Sequence, residues 1–333
     1  MSRVKLSDVA KEAGVAVSTA SIVLSEGGQI NEIAEKTKER VREVAWRLKY
    51  RPNAGARLIQ MRQTGAVALL QSAAMDRALL PPELLYGISA ELQKQNKTLS
   101  FVQLDDEAIM EFRPHFLRQN DVDGILVNYS VKIPRKLFDY ISHYEIPAVY
   151  INVRKAKDAV WFDFKQAVAD EVERLAAMGR RQIMLLNFSS GFDHHSLQDS
   201  RNGYLKVMEK FGLKPWIEES VVPRIDRIPV VKKLLSQTKA PDAVFAMAAS
   251  SAFPVIQAAN QLGIQVPEQL SVSTFGSLQE TTLLVPHADF ISLPWRQAGQ
   301  RAVQMLLNKI EGKRGKPISG RLACEWRSGA TAK

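Results

Sequence analysis

Near its N-terminus the chain reads Leu6-Ser7-Asp8-Val9-Ala10-Lys11-Glu12-Ala13-Gly14-Val15-Ala16-Val17-Ser18-Thr19-Ala20-Ser21, and this stretch decides the fold. Its first half repeats apolar residues at the spacing of one helix face. Ser7 is placed to cap that helix, and Asp8 lies in the first turn, where the helix dipole favours negative charge. Gly14 suits a tight turn because glycine adopts the left-handed conformation without steric cost. We therefore predict two short helices in a helix-turn-helix rather than an ordinary helical hairpin.

The second helix of this motif is predicted to have an inner and an outer side. Val15 and Ala20 turn inward, and the outward side chains are Val17, Ser18, Ser21 and Ile22.

A third helical run, from Glu32 to Leu48, follows a loop that contains glycine. Its predicted apolar face consists of Ile33, Val41, Val44, Ala45 and Leu48, and Lys and Arg crowd the rest of its surface. Pro52 ends this helix, and Asn53 can cap a short new one.

Charge is concentrated at the same end of the chain. The 333 residues have a formal net charge of +10, and the first 62 hold 12 Lys and Arg against 7 Asp and Glu, a net +5. Positive charge per residue is therefore about fourfold denser there than in the remaining 271 residues. That distribution is typical of a surface that contacts nucleic acid phosphates.

Other composition features exclude several classes of protein. Cys324 is the only cysteine, so neither an internal disulfide nor a cysteine-based zinc site can form. No apolar run approaches the roughly 18 to 20 residues of a membrane helix, and the N-terminus lacks the apolar core of a signal peptide. We expect a cytoplasmic protein with no cofactor, no metal and no membrane partner.

From Thr64 onward, short apolar runs alternate with segments of helical length. One set of predicted strands covers 66–70, 99–102, 124–127 and 148–151, and a second set covers 160–162, 183–186, 243–246 and 270–273. Helices are predicted between them, such as Glu83 to Gln95 and Arg135 to Tyr144. Strands separated by helices favour parallel sheets covered on both faces. Two such sets predict two Rossmann-like subdomains with a ligand cleft between them.

This order of motifs resembles the lactose repressor (LacI) family of bacterial transcription regulators. The positions that carry the resemblance are Asp8-Val9-Ala10, Ala13-Gly14-Val15, Ser18-Thr19-Ala20-Ser21, Val23-Leu24, Thr37, Val41 and Tyr50-x-Pro52-Asn53-Ala54-x-Ala56-Arg57. The resemblance implies an N-terminal all-α helix-turn-helix domain with a hinge helix. An α/β periplasmic-binding-protein-like sensor of two Rossmann-like subdomains is expected to follow.

The resemblance also implies domain boundaries. We expect the DNA-binding domain and hinge helix in residues 1–62 and an effector-binding and dimerisation domain in 63–333. The chain is expected to cross between the subdomains near Asp158, Ser292 and Gly320. One subdomain then comprises about 63–158 and 292–320, and the other about 159–291 and 321–333.

In the family, side chains matching Val17, Ser18 and Ile22 face base edges in the major groove, and those matching Thr19 and Ser21 contact phosphates. Arginine, which can clamp guanine, is usual at the position of Ile22. Isoleucine can only pack on a thymine methyl group, unless it belongs to the core. The complete set of expected DNA-contacting residues is Lys5, Ser7, Val17, Ser18, Thr19, Ser21, Ile22, Ser25, Asn53, Arg57, Leu58 and Ile59.

The segment Asn53 to Gln60 resembles the family's hinge helix, which folds on operator DNA where two copies meet in the minor groove. Ile59, with Leu58 beside it, is expected to insert between base pairs as an apolar wedge. Gly55 lies mid-helix and costs about 1 kcal/mol relative to alanine, which suits a segment that folds only on binding. The alternative is a plain flexible linker.

The expected cleft lacks several of the polar residues that bind ligand in the family. The stretch Asp199-Ser200-Arg201-Asn202-Gly203-Tyr204 resembles the family's Arg-x-x-Gly-aromatic motif, and implies that Arg201 binds ligand unless it is a surface arginine. Ala248-Ala249 and Gly276-Ser277 stand where the family carries Asn-Asp and Asp-Asp. The complete set of expected effector-binding residues is Arg201, Asn152, Ser72, Trp161 and Ser277.

Enzyme chemistry is not indicated. His194 and His195 have no third ligand nearby in sequence, and we expect both rings to be exposed to solvent. The chain has no phosphate-binding loop motif and no nucleophile elbow, so no catalytic residue is assigned.

These features predict a dimeric transcription regulator, a repressor in the leading interpretation, that binds a palindromic operator. Its effector is expected to be an anionic or partly apolar metabolite rather than a simple neutral sugar; a protein co-regulator or no effector is the alternative. A solute-binding protein of transport and a sugar-modifying enzyme are the competing classes. The chain lacks the leucine heptads that tetrameric members append, so a homodimer is expected.

Overall fold

The structure, a computed structural model, describes residues 4–25, 30–50, 64–72, 80–104, 121–129, 133–154, 158–188, 194–312, 318 and 320–332. The chain divides into two compact units, Met1–Thr64 and Gly65–Lys333. The predicted boundary at residues 62 and 63 lies outside the described residues and stays a prediction.

The N-terminal unit is helical. It contains α1 (Leu6–Ala13), α2 (Val17–Ser25), a 3-10 turn (Ile30–Glu32) and α3 (Glu35–Arg47). Gly14 ends α1 with φ +62°, the left-handed conformation predicted for the turn. Because the 3-10 turn occupies Ile30–Glu32, α3 begins three residues later than predicted.

The predicted cap of α1 was wrong. Helix α1 begins at Leu6 with Lys5 as its N-cap residue, so Ser7 already lies inside the first turn. Asp8 is in that turn as predicted, and its carboxylate accepts the backbone N–H of Lys5 at 2.8 Å. The carboxylate therefore satisfies a free N–H group at the helix start without a serine cap.

The second unit contains two six-stranded sheets. The strands are β1 (Ala66–Ser72), β2 (Thr98–Leu104), β3 (Gly124–Asn128), β4 (Ala148–Ile151), β5 (Ala159–Phe162), β6 (Ile183–Asn187), β7 (Trp216–Glu219), β8 (Ala243–Ala246), β9 (Ser271–Gly276), β10 (Asp289–Ser292), β11 (Arg321–Leu322) and β12 (Glu325–Arg327). The first sheet has the order β11-β5-β4-β3-β1-β2 and the second β12-β10-β9-β8-β6-β7. All neighbours are parallel except β10 and β12.

Helices lie between the strands as the alternating pattern predicted. They are α4 (Pro82–Gln93), α5 (Arg135–His143), α6 (Phe164–Ala177), α7 (His195–Lys210), α8 (Arg227–Leu235), α9 (Ala249–Leu262), α10 (Leu278–Thr281) and α11 (Trp295–Ile310). Along β1, Val67 and Leu69 belong to one buried apolar cluster and Ala68 and Leu70 to another. Both faces of this sheet are therefore covered, as in doubly wound folds.

One strand lies in a different sheet from the one predicted. Residues 160–162 were expected to open the second set, but β5 pairs with β4 through Tyr150 and Ala159 and therefore belongs to the first sheet. Strand β11 joins the same sheet beside Trp161. In the structure the chain leaves the first sheet after Phe162 and leaves it for the last time after Leu322, four and two residues beyond Asp158 and Gly320. These strands are too short for their own pattern to identify their partners.

No helix in the described part of the chain is long and apolar enough to cross a lipid bilayer.

Candidate functional site

Helix α2 presents an exposed outer face. Val17 is 50% exposed, and Ser18 and Ser21 are exposed, whereas Ala20 and Val23 are buried. The apolar cluster of this unit is formed by Val9, Ala10, Ala13, Ala20, Val23, Val41, Val44 and Ala45. Ile22 is partly exposed and is not among the residues that form or border this cluster. Its position favours an outward side chain over a core role.

Ion pairs order the basic surface of this unit. Arg47 of α3 contacts Glu12 of α1 at 2.8 Å, and Lys38 contacts Glu35 within α3 at 2.9 Å. Lys5, Lys36 and Arg40 are exposed. The predicted contacts Asn53, Arg57, Leu58 and Ile59, and the side chain of Ser25, lie outside the described residues.

In the second unit, segments that follow the carboxyl ends of strands in the two sheets contact each other. We call the region between these strand ends the cleft, because parallel sheets place their ligands there. Asn152, which follows β4 of the first sheet, has φ +58° and is buried. Its carbonyl oxygen lies 3.1 Å from His194 Nε2 and 3.0 Å from His195 Nε2, at the start of α7 in the second subdomain. Two imidazole rings therefore bridge the subdomains.

A buried carboxylate lies beside this bridge. Asp199, one turn along α7, has a side chain only 7% exposed, and its Oδ2 lies 3.2 Å from His195 Nδ1. Arg154, from the segment after β4, donates from Nη1 to the other carboxylate oxygen. This ion pair is a second connection across the cleft.

Aromatic rings line the same region. Phe164, the first residue of α6, is buried and makes edge contacts with His195 at 5.7 Å and with Phe275 at 5.4 Å. Trp161 lies near two guanidinium groups, with Arg154 5.3 Å and Arg321 6.0 Å from its ring centroid.

An arginine holds the strand ends of the second sheet in place. Arg227 donates to the backbone carbonyls of Phe188, Val222 and Ser250 at 3.2 to 3.3 Å, joining the segments that follow β6, β7 and β8. Burial, and then the charge of Arg224, lower the pKa of this guanidinium, which stays protonated. Its role is to position the edge of the cleft.

The structure brings together only some of the predicted effector residues. Asn152 lies at the bridge, and Trp161 lies beside Arg154. Ser72, at the end of β1, is buried. Ser277 is the N-cap of α10, and its hydroxyl lies 2.9 Å from Glu280 Oε2 and 3.2 Å from Glu280 N. This capping role accounts for the Ser277 hydroxyl, which needs no ligand as a partner.

Arg201 does not fit the motif to which it was assigned. The motif places its arginine three residues before the glycine, whereas Arg201 lies two residues before Gly203. Its side chain is 49% exposed, and Nη1 lies 3.9 Å from Glu219 at the end of edge strand β7. The residue three positions before Gly203 is Ser200, which is fully buried, and its hydroxyl has no hydrogen-bond partner in the structure.

The predicted exposure of the histidine pair was also wrong. His194 and His195 are largely covered because both rings pack at the cleft, with centroids 4.2 Å apart. The missed signal was the i, i+4 spacing of His195 and Asp199, which places both side chains on one helix face. In the described part of the chain, no three His, Cys, Asp or Glu side chains are grouped to hold a metal.

The comparisons with known proteins agree with this architecture. A model of bacterial regulatory proteins of the lacI family matches residues 5–53, and one of a periplasmic binding protein-like domain matches 172–331. The chain therefore combines a lacI-family helix-turn-helix domain with a periplasmic-binding-protein-like domain. It is a DNA-binding transcription regulator and not an enzyme.

Relatives match over nearly the whole chain. The HTH-type transcriptional repressor PurR of Vibrio cholerae serotype O1 (strain M66-2) is 26% identical over 318 residues, which cover 92% of each protein. PurR of Serratia proteamaculans (strain 568) is 28% identical over 329 residues, covering 93% of this chain and 91% of the relative. A lac repressor dimer solved with operator and the anti-inducer ONPF shares the fold, with a TM-score of 0.78, 20% identity and 99% of both chains covered.

Proposed function

We propose that this regulator is a sequence-specific repressor that binds a palindromic operator as a homodimer. The observation that carries the proposal is the exposed outer face of α2, with Val17, Ser18 and Ser21 accessible and the inner face packed in the core. A recognition helix built in this way enters the major groove, and two copies related by a two-fold axis read two half-sites. Its operator is chromosomal DNA, so we place the protein in the cytoplasm.

Exposed apolar side chains support pairing of two chains. In the second unit Ile225 is 85% exposed and Leu283 and Val285 are each 80% exposed, and Tyr86 and Phe101 are also exposed. Apolar side chains that are exposed together mark surfaces that a second protein covers. We assign them to the dimer interface. Sedimentation should give a dimer at micromolar concentration, and Ile225→Glu should shift it towards monomer; a wild-type monomer or a stable tetramer would contradict this.

Gel-shift experiments with fragments of the protein's own promoter region test the DNA-binding proposal. We expect a salt-sensitive, sequence-selective shift that Ser18→Glu abolishes, because a carboxylate on the outer face of α2 repels phosphates. Ser142→Glu, on α5 of the second unit, adds the same charge and should keep the shift. If folded wild-type dimer gives no selective shift, the proposal fails.

We also propose that the cleft rejects plain neutral sugars. Ala248, Ala249 and Gly276 offer no side-chain hydrogen bonds, and Ser277 already caps α10. Each lost hydrogen bond is worth about 1 kcal/mol, so several together weaken sugar binding by orders of magnitude.

A thermal-shift screen of hexoses, sugar phosphates and carboxylates tests this point. Neutral hexoses should give no stabilisation, and any anionic ligand should lose its effect in Arg154→Ala. Arg201→Ala is the matched control, since this arginine faces Glu219 rather than the bridge. Stabilisation by a neutral hexose that survives both substitutions would overturn the proposal.

A further inference from the structure

A cavity lies between helix α6 and the C-terminal strand β12, and none of its lining residues belongs to the histidine bridge. One face of α6 lines it, at positions i, i+3, i+4 and i+7, with Ala167, Asp170, Glu171 and Arg174. The rest of the lining comes from Ile291, Cys324 and Trp326. Its volume is about 240 Å³, the space of about eight water molecules at roughly 30 Å³ each. The cavity is therefore sized for a small metabolite.

The cavity lies where the chain passes between the two sheets. Ala167 is in α6, the first element after the chain leaves β5. Ile291 is in β10, shortly before the chain returns to the first subdomain in α11, and Cys324 lies between β11 of the first sheet and β12 of the second. A molecule bound here contacts the segments through which one subdomain moves against the other.

The charges around the cavity favour a cation over an anion. Arg174 is already engaged, because Glu171 accepts from its Nε at 2.8 Å and from its Nη2 at 2.7 Å, and Asp289 lies 3.9 Å away. Asp170, by contrast, is exposed, and no cation of the described residues pairs with it. The side-chain amide of Gln166 donates to one of its carboxylate oxygens at 2.7 Å. An anion entering the cavity meets the negative charge of Asp170, whereas a cation neutralises it.

The remaining surface suits an apolar body beside that cation. Ala167, Ile291 and Cys324 supply apolar side-chain surface. The indole of Trp326 is 45% exposed, and the guanidinium of Arg174 lies 4.7 Å from its ring centroid, so this ring already receives one cation. An aromatic ring and a carboxylate together recognise organic ammonium groups.

We propose that this cavity is a second ligand site, which takes a small organic cation with a short apolar body. The ammonium group pairs with Asp170, and the apolar body packs against Trp326, Ala167 and Ile291. The site shares no residue with the outer face of α2 or with the histidine bridge. It therefore depends neither on operator binding nor on the ligand of the cleft.

Pentylamine, 1-pentanol and pentanoate test the charge requirement, because they share a five-carbon chain and differ in charge at neutral pH. The full-length, DNA-free chain is labelled with fluorotryptophan, and Trp326→Phe identifies the fluorine resonance of Trp326 among the five tryptophans. Titrations are run at constant ionic strength. We expect pentylamine to shift the Trp326 resonance along a saturable curve and to bind at least about tenfold more tightly than 1-pentanol. Pentanoate should give no saturable shift.

Two variants make the assignment specific. Asp170→Asn keeps the shape of the side chain and its contact with Gln166 but removes the charge, and should weaken pentylamine binding at least about tenfold. Asp139→Asn is the matched control, since it removes the same charge from the exposed surface of α5 and should leave the affinity unchanged. Circular dichroism checks that both variants fold.

Three results would overturn the proposal: no saturable shift with pentylamine up to about 10 mM, equal affinities for pentylamine and 1-pentanol, or an unchanged affinity in Asp170→Asn. The measurement contains no DNA, so its failure leaves the operator-binding proposal untouched, and the reverse also holds.

Discussion

Ile22 is the residue at which the expected DNA contacts depart from the family pattern. Its side chain is partly exposed and can offer only an apolar contact. We therefore predict an operator that prefers A·T at the base pair facing Ile22, through the thymine methyl group. Ile22→Arg should shift that preference towards guanine, by about 1–3 kcal/mol of discrimination. Selection from random DNA measures both preferences.

Trp46→Arg is the control for this change. Trp46 is 87% exposed on α3, so the substitution adds the same charge to the same unit without altering the outer face of α2. It should strengthen binding to all sequences alike. A strict G·C requirement facing wild-type Ile22 would contradict the interpretation.

Cys324 should be an unreactive thiol. Burial first, and the charge of Asp163 second, raise the pKa of this thiol to about 12. Because the thiolate is the reactive form, at pH 8 only about one molecule in 10⁴ is reactive. We predict that the native chain reacts with a disulfide reagent at least about a hundredfold more slowly than the chain in urea. The chain has one cysteine, so the measured reaction is that of Cys324 alone. Reaction rates of the native and unfolded chains that differ by less than tenfold would contradict this prediction.

The sequence predicted the exposed outer face of α2 better than it predicted the contacts of the cleft. The outer face of α2 follows from local helical periodicity, which the apolar residues of a short segment already show. The cleft depends on contacts between distant segments. Asn152 and His195 are 43 positions apart, and nothing local predicts that the carbonyl of one meets the ring of the other. Arg201 was predicted as an effector-binding residue from the family resemblance, through a motif whose spacing this chain does not match.

The C-terminal segment is held against the second sheet by buried hydrogen bonds. The buried carboxylate of Asp289, at the start of β10, accepts the backbone N–H groups of Thr331 at 2.9 Å and Ala332 at 2.8 Å. The Thr331 hydroxyl in turn donates to Val272 O of β9 at 2.5 Å. The side chains of Asp289 and Thr331 together therefore fix the last described residues against two strands.

Asp289→Ala should destabilise the second unit. It leaves two buried N–H groups without an acceptor, at a cost of about 2–4 kcal/mol. Urea unfolding followed by circular dichroism measures the loss. Asp139→Ala on the exposed surface of α5 is the control and should cost less than about 0.5 kcal/mol. Equal effects of the two substitutions would contradict the assigned role.

The sequence predicted helices and long strands better than short connecting strands. Both faces of β1 and β3 are buried, and their continuous apolar runs indicated strands directly. By contrast, β5 has four residues and β11 has two, and which sheet they join depends on pairing with β4 and with each other. The strand-and-helix alternation therefore predicted two sheets correctly, but it assigned β5 to the wrong sheet and did not predict β7, β10, β11 and β12.

We propose that the full-length chain binds DNA selectively as a pair of identical subunits. The N-terminal unit supplies the exposed recognition face, and the second unit supplies exposed apolar side chains for pairing. Since a single small helix-turn-helix buries little DNA surface, selective binding requires both.

The most direct test is a fluorescence-anisotropy titration of the full-length chain on a palindromic site obtained by selection from random DNA. We predict a stoichiometry of two chains per duplex and an affinity at least about 10³-fold higher than for a scrambled duplex. Binding should also weaken steeply between 50 and 200 mM salt, as phosphate contacts require. Equal affinity for the two duplexes, or one chain bound per palindrome, would contradict the account.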